Sequence, residues 1–132
     1  GISAASELIR GGRVRALAVV DTAAVDTLPG VPPITAALPD IARFLPWGPF
    51  YGVFVKRDTP EDVTATLVEA YAAAAQSPDF VTLMENRGNV VMNISGDEAD
   101  AFLTKWQQVT AWVLQDTGAA VVSPETLGIP RP

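Results

Sequence analysis

Residues 47–60, WGPFYGVFVKRDTP, decide how the rest of the chain is read. The middle of this stretch, Phe50-Tyr51-Gly52-Val53-Phe54-Val55, is aromatic and β-branched, a composition that suits a pleated, well-buried strand. Its apolar residues run on without alternation, so both faces are expected to be covered, as in an α/β sheet. Lys56, Arg57 and Asp58 end the strand. Thr59 offers a side-chain oxygen to the first free N–H groups of a helix, and Pro60 suits the first helical position, where its missing donor costs nothing. Glu61 and Asp62 then sit near the positive end of the helix dipole. The expected core is one strand and one long helix joined at a sharp corner.

Upstream, residues 3–10 (SAASELIR) read as a short helix with Ser3 or Ser6 as cap and Gly11-Gly12 as stop. Residues 13–20 (RVRALAVV) read as a strand whose second half is buried on both sides. The proline-rich stretch 21–46 keeps Val31, Ile34, Leu38, Ile41, Phe44 and Leu45, so it is expected to pack along the surface, with helical turns near 34–38 and 40–45. Downstream, residues 60–76 form the clearest helix, with Val63, Leu67, Ala70, Tyr71 and Ala74 as its apolar stripe. Ser77-Pro78 repeats the cap-then-proline device for a helix over 78–86. Residues 90–94 read as a short strand. Ser95 and Glu98 have capping-box spacing ahead of a helix to about Thr117, whose face carries Ala99, Phe102, Leu103, Trp106, Val109, Trp112 and Val113. Val121-Val122 suits a short edge strand.

The chain has 132 residues, one domain's worth or a piece of a larger protein, with 48% apolar and 18% charged residues. That composition can fill a core. A net charge of −6 and a pI near 4.4 argue against a nucleic-acid surface, which needs clustered Lys and Arg. Arg10, Arg13 and Arg15 are the only basic group, and they suit the solvated flanks of a strand. With no cysteine, disulfides, thiolate nucleophiles and Cys-based zinc sites are excluded, while the compartment stays open. With no histidine, the commonest general base and metal ligand is missing. No apolar run approaches the ~20 residues that span a bilayer. No signal peptide is visible, and the chain does not begin with Met.

No phosphate loop, dinucleotide fingerprint, nucleophile elbow or HExxH pattern is present. The Asp97/Glu98/Asp100 cluster reads as an ordinary helix start, since further oxygen ligands at loop spacing are lacking. No catalytic residue, metal ligand or cofactor is expected. Trp106 and Trp112 lie at helical spacing and read as core. Trp47 and Phe50 suit stacking on a ligand as well as packing. The free N–H groups near Ser3 and Ala4 suit a carboxylate as well as an ordinary cap.

The order of these segments resembles the C-terminal part of a tripartite tricarboxylate transporter substrate-binding protein, of the TctC or Bug family. Residues 12–20 are similar to that family's "G-K/R-hydrophobic-R-A-L-A-V" strand, Leu28-Pro29-Gly30-Val31-Pro32-Pro33 to its "LPDVPT", and residues 50–60 to its "W-Y-G-L-F-A-P-A-G-T-P". Phe50 replaces the usual Trp, and Val55-Lys56-Arg57-Asp58 replaces Ala-Pro-Ala-Gly. Trp106, in the late SGDEADAFLTKW, matches a recurrent family Trp.

The resemblance implies an α/β fold, part of a type II periplasmic-binding-protein architecture with three or four short strands and flanking helices. Residues 1–132 would then be a single fragment from the C-terminal part of a bilobal receptor in the periplasm. Such a receptor binds a small organic acid and meets membrane transporter subunits. Ser3, Ala4, Trp47 and Phe50 are the positions that would approach the ligand in the whole receptor. A lone fragment leaves apolar faces uncovered, so self-association is expected. Two other classes compete: a stand-alone structural or interaction module without a small-molecule ligand, and an enzyme domain acting on carboxylates.

Overall fold

A computed structural model describes residues 2–132 of the chain, apart from the side chain of Ser3. Its regular elements are helical: α1 (Ile2–Arg10), α2 (Glu61–Ala75), α3 (Pro78–Asn86) and α4 (Gly96–Asp116), with 3-10 turns at Ile34–Ala36, Pro39–Phe44 and Pro124–Leu127. Among the described residues there is no β-strand, and the sole pairing of that type is an isolated parallel bridge between Val19 and Pro33.

This corrects the α/β expectation. The stretches 13–20, 50–55 and 90–94 have strand-like composition, yet they form no ladder. Composition makes a segment suited to a pleated surface, but a strand exists only with a partner, and lone pairs of strands are already marginal in water. A type II periplasmic-binding-protein lobe is built on a sheet. Without one, the TctC/Bug resemblance loses its structural basis, and with it the carboxylate-receptor role.

The chain divides into two compact units, each assembled from two chain segments: Gly1–Arg15 with Pro49–Ser95, and Ala16–Gly48 with Gly96–Pro132. In the first unit, α1 ends where Gly12, at φ 67°, donates its N–H to Ile9 O (3.0 Å) and Arg13 donates to Leu8 O (2.9 Å). This left-handed stop satisfies carbonyls that the helix end would otherwise leave open, and glycine adopts it without steric cost. The same pattern ends α3 at Gly88 and, in the second unit, α4 at Gly118. Arg10 of α1 donates to Asn86 O at the end of α3 (3.2 Å). In α2 the inward residues are Thr64, Tyr71, Ala72 and Ala75, with Ala75 buried, while Val63 and Leu67 are exposed. The apolar stripe read from the sequence is thus rotated by about one residue, ~100° around the helix. The helix also starts one residue later than expected, with Pro60 at the cap position and no side-chain cap bond from Thr59.

The second unit holds most of the core. Val109 and Trp112 of α4 are buried together with Val19, Leu45 and Pro124. The expected α4 face is the observed one: Ala99, Phe102, Leu103, Trp106 and Val113 are all at least half-buried beside them. Trp106 donates its indole N–H to Gly48 O (2.8 Å). The proline-rich stretch is held as its apolar residues suggest. Val19 N–H donates to Pro32 O (2.9 Å), Ile34 N–H donates to Val19 O (2.7 Å), and two short helical turns follow.

Candidate functional site

In the first unit, residues 51–55 form an exposed ribbon between Pro49 and the turn that precedes α2. Thr59 N–H closes that turn on Lys56 O (3.1 Å). Among the described residues no backbone hydrogen bond involves 51–55, so its N–H and C=O groups face water. The side chains are apolar all the same: Tyr51 is 85% exposed, Val53 69%, Phe54 67% and Val55 46%. Phe54 meets Phe50 edge-on, with ring centroids 6.5 Å apart and planes at 62°. Its ring also leans over Gly52, where a Cβ would lie 3.6 Å from the ring edge. A second stretch of the same unit, 90–94, is likewise without backbone hydrogen bonds and exposes Val90 and Met92.

Large apolar side chains are exposed elsewhere too, among them Leu17 at 71% and Val121 at 99% in the second unit. Apolar surface left in water costs roughly 25 cal/mol per Å², so the exposed side chains of Tyr51, Val53, Phe54 and Val55 favour covering by another polypeptide.

The second unit carries a shallow, open hollow of about 230 Å³, lined by Arg43, Phe44, Val109, Trp112, Asp116 and Arg131 among others. Ligand pockets are commonly ~300–1,000 Å³. Its polar groups are already engaged. Arg131 donates to both carboxylate oxygens of Asp116 (3.0 Å each) and lies over the Trp112 ring, 4.0 Å from the centroid. Trp112 donates its indole N–H to Ile129 O (3.1 Å). Arg43 sits 4.6 Å above the Phe44 ring. The arrangement is a clasp that holds the last residues of the chain against α4, with a guanidinium fork and an aromatic face matched as those groups prefer.

The hydrogen bond from Arg131 lowers the Asp116 carboxyl below the usual carboxylate range, and the charge of Arg131 acts in the same direction. A depressed folded-state value means that the clasp contributes stability at pH values above the ordinary carboxylate pKa. That contribution fades as pH falls through the depressed value. Both side chains are about half exposed, so the effect is small and screened by salt. NMR titration is expected to show the Asp116 midpoint below that of a freely solvated aspartate, and Arg131→Gln to move it back up.

Of the positions singled out in the sequence, Ser3, Ala4 and Phe50 fall in the first unit and Trp47 in the second. Ser3 and Ala4 lie in the first turn of α1; Ala4 is exposed, and the side chain of Ser3 falls outside the described part. Phe50 is half-buried beside Phe54 in the same unit. Trp47 is 53% exposed and belongs to the other unit. Among the described residues no cluster of His, Cys, Asp and Glu could hold a metal ion, and no helix is long and apolar enough to cross a membrane. Tyr51, Val53 and Phe54 are exposed apolar residues close together in one run. The sequence marks them as apolar and strand-like but does not mark them as exposed. The one local sign is Gly52, a gap in an otherwise bulky run.

No family model matches the chain, and no solved structure matches it. The chain is similar to the UPF0065 protein in the clcB-clcD intergenic region of Pseudomonas knackmussii, at 30% identity over 114 residues. The alignment covers 84% of this chain and 63% of that protein, so the chain spans less than two thirds of its relative's length. The relative's name gives a genomic position and no activity.

Proposed function

We propose that this chain is an interaction module that engages another polypeptide through the apolar ribbon 51–55 of its first unit. The observation that carries the reading is the exposure of Tyr51, Val53 and Phe54 on a backbone with no hydrogen-bond partner. An apolar ribbon with free N–H and C=O groups is suited to β-augmentation, in which main-chain bonds supply affinity and alternate side chains supply specificity. The clasp in the second unit spends its charged groups on one another, which favours a structural role for that hollow.

The reading is tested with a dye that fluoresces on exposed apolar surface. The chain is expected to bind anilinonaphthalene sulfonate strongly at low protein concentration. The double variant Tyr51→Lys, Phe54→Lys is expected to lower that signal measurably while keeping its helical circular dichroism, because neither residue lies in a helix. Weak dye binding by a chain that sediments as a monomer would contradict the proposal.

A further inference from the structure

We infer that residues 51–57 are a proteolytic processing site, read as an extended substrate by a serine endoprotease that recognises paired basic residues and cuts after Arg57. The inference rests on the reading of 51–55 as an interaction surface and names the class of its partner. An extended peptide is held through main-chain hydrogen bonds, with pockets for individual side chains. Ribbon 51–55 already has the form such a site takes, with its backbone groups and side chains in water. A substrate is held only for one turnover, so a short ribbon is enough where a stable complex needs a larger interface. Lys56 and Arg57 follow directly, both exposed and outside the described ion pairs. They are the chain's one adjacent pair of basic residues. A carboxylate at the base of a protease pocket takes an arginine side chain, whose fork matches it.

Little has to open for the bond to be reached. Among the described residues the backbone hydrogen bond across 56–59 runs from Thr59 N–H to Lys56 O (3.1 Å), and α2 does not begin until Glu61. An exposed bond of this kind opens readily, because water replaces it. The other basic residues are held more firmly or stand alone. Lys105 lies within α4, Arg43 in a 3-10 turn and Arg131 in the clasp. Arg87 donates its N–H to Leu83 O and Met84 O, and Arg10 lies in α1 with its guanidinium on Asn86 O. Arg13 and Arg15 are exposed, but neither has a basic neighbour in the chain. In the reaction the oxygen of water joins the Arg57 carbonyl carbon, the C–N bond to Asp58 breaks, and both water protons pass to the Asp58 nitrogen. The products are a carboxylate at Arg57 and an ammonium group at Asp58. The two pieces are expected to stay together through the second unit, where Leu45 is buried with Val109 and Trp112 and Trp106 donates to Gly48 O (2.8 Å).

The test is digestion of the full chain with a serine endoprotease that requires a Lys-Arg pair, with the pieces weighed by mass spectrometry. One cut, after Arg57, is expected. Trypsin, which needs no pair, is expected to cut after Arg57 at least about tenfold faster than after Arg87 or Lys105, where a helix must first open. Lys56→Gln is expected to block the pair-reading enzyme and spare the tryptic cut after Arg57. Arg57→Gln is expected to abolish cutting after position 57 by both. Neither residue lies in a helix, so both variants should keep the helical circular dichroism. The cut chain is expected to give two bands on a denaturing gel and to leave a native sizing column at the volume of the uncut chain. Resistance of the unaltered chain to the pair-reading enzyme, with the dye still bound, would overturn the processing site and leave the interaction surface standing. Resistance together with weak dye binding by a monomer would overturn both. A tryptic cut after Lys105 or Arg87 that precedes the one after Arg57 would overturn the site as well.

Discussion

Trp112→Ala is expected to lower the stability of the second unit by about 3–5 kcal/mol, the range for truncating a buried tryptophan. Trp112 is only 6% exposed, and three features converge on it. Its ring packs in the core beside Val109, its indole N–H satisfies Ile129 O, and its face carries the Arg131 guanidinium. Removing the ring leaves a cavity, an unpaired carbonyl and an arginine without its platform. Trp112→Phe keeps most of the buried area and loses the N–H donor, so it should cost only about 1 kcal/mol. Urea unfolding followed by near-ultraviolet circular dichroism separates the two. Equal, small losses for both variants would mean that the indole is not the centre of the unit.

Val19→Pro is expected to cost about 2–4 kcal/mol in the same unit. Val19 is buried and forms the parallel bridge that ties its segment to Pro33. Proline removes the N–H that bonds Pro32 O and leaves that carbonyl without its donor. Val19→Ala keeps the backbone bond and loses only side-chain burial, so it should be milder. The urea midpoint of each variant checks the order, and a milder effect for Val19→Pro than for Val19→Ala would contradict the bridge's role.

The helices were legible because their signals are local. Ser77-Pro78 opens α3, the glycines at positions 12, 88 and 118 end three helices, and the α4 face from Ala99 to Val113 follows from spacing alone. A helix makes its backbone bonds within itself, so propensity and caps suffice to place it. Strand pairing depends on a partner elsewhere in the chain, and no local pattern at 13–20, 50–55 or 90–94 can guarantee one. The stripe of α2 was misplaced for a related reason. An alanine-rich helix offers several nearly equivalent faces, and packing of Tyr71, Ala72 and Ala75 selects among them. The composition of 50–55 suits a buried strand, yet Tyr51, Val53 and Phe54 lie in solvent.

The most direct test of a strand-free first unit is the pattern of short Hα–Hα nuclear Overhauser contacts between residues 51–55 and 90–94, filtered to retain only contacts within one chain. Two ribbons without backbone partners should give none, with helical chemical shifts confined to α1, α2 and α3. A regular series of such contacts would place a sheet inside the unit and contradict the helical account.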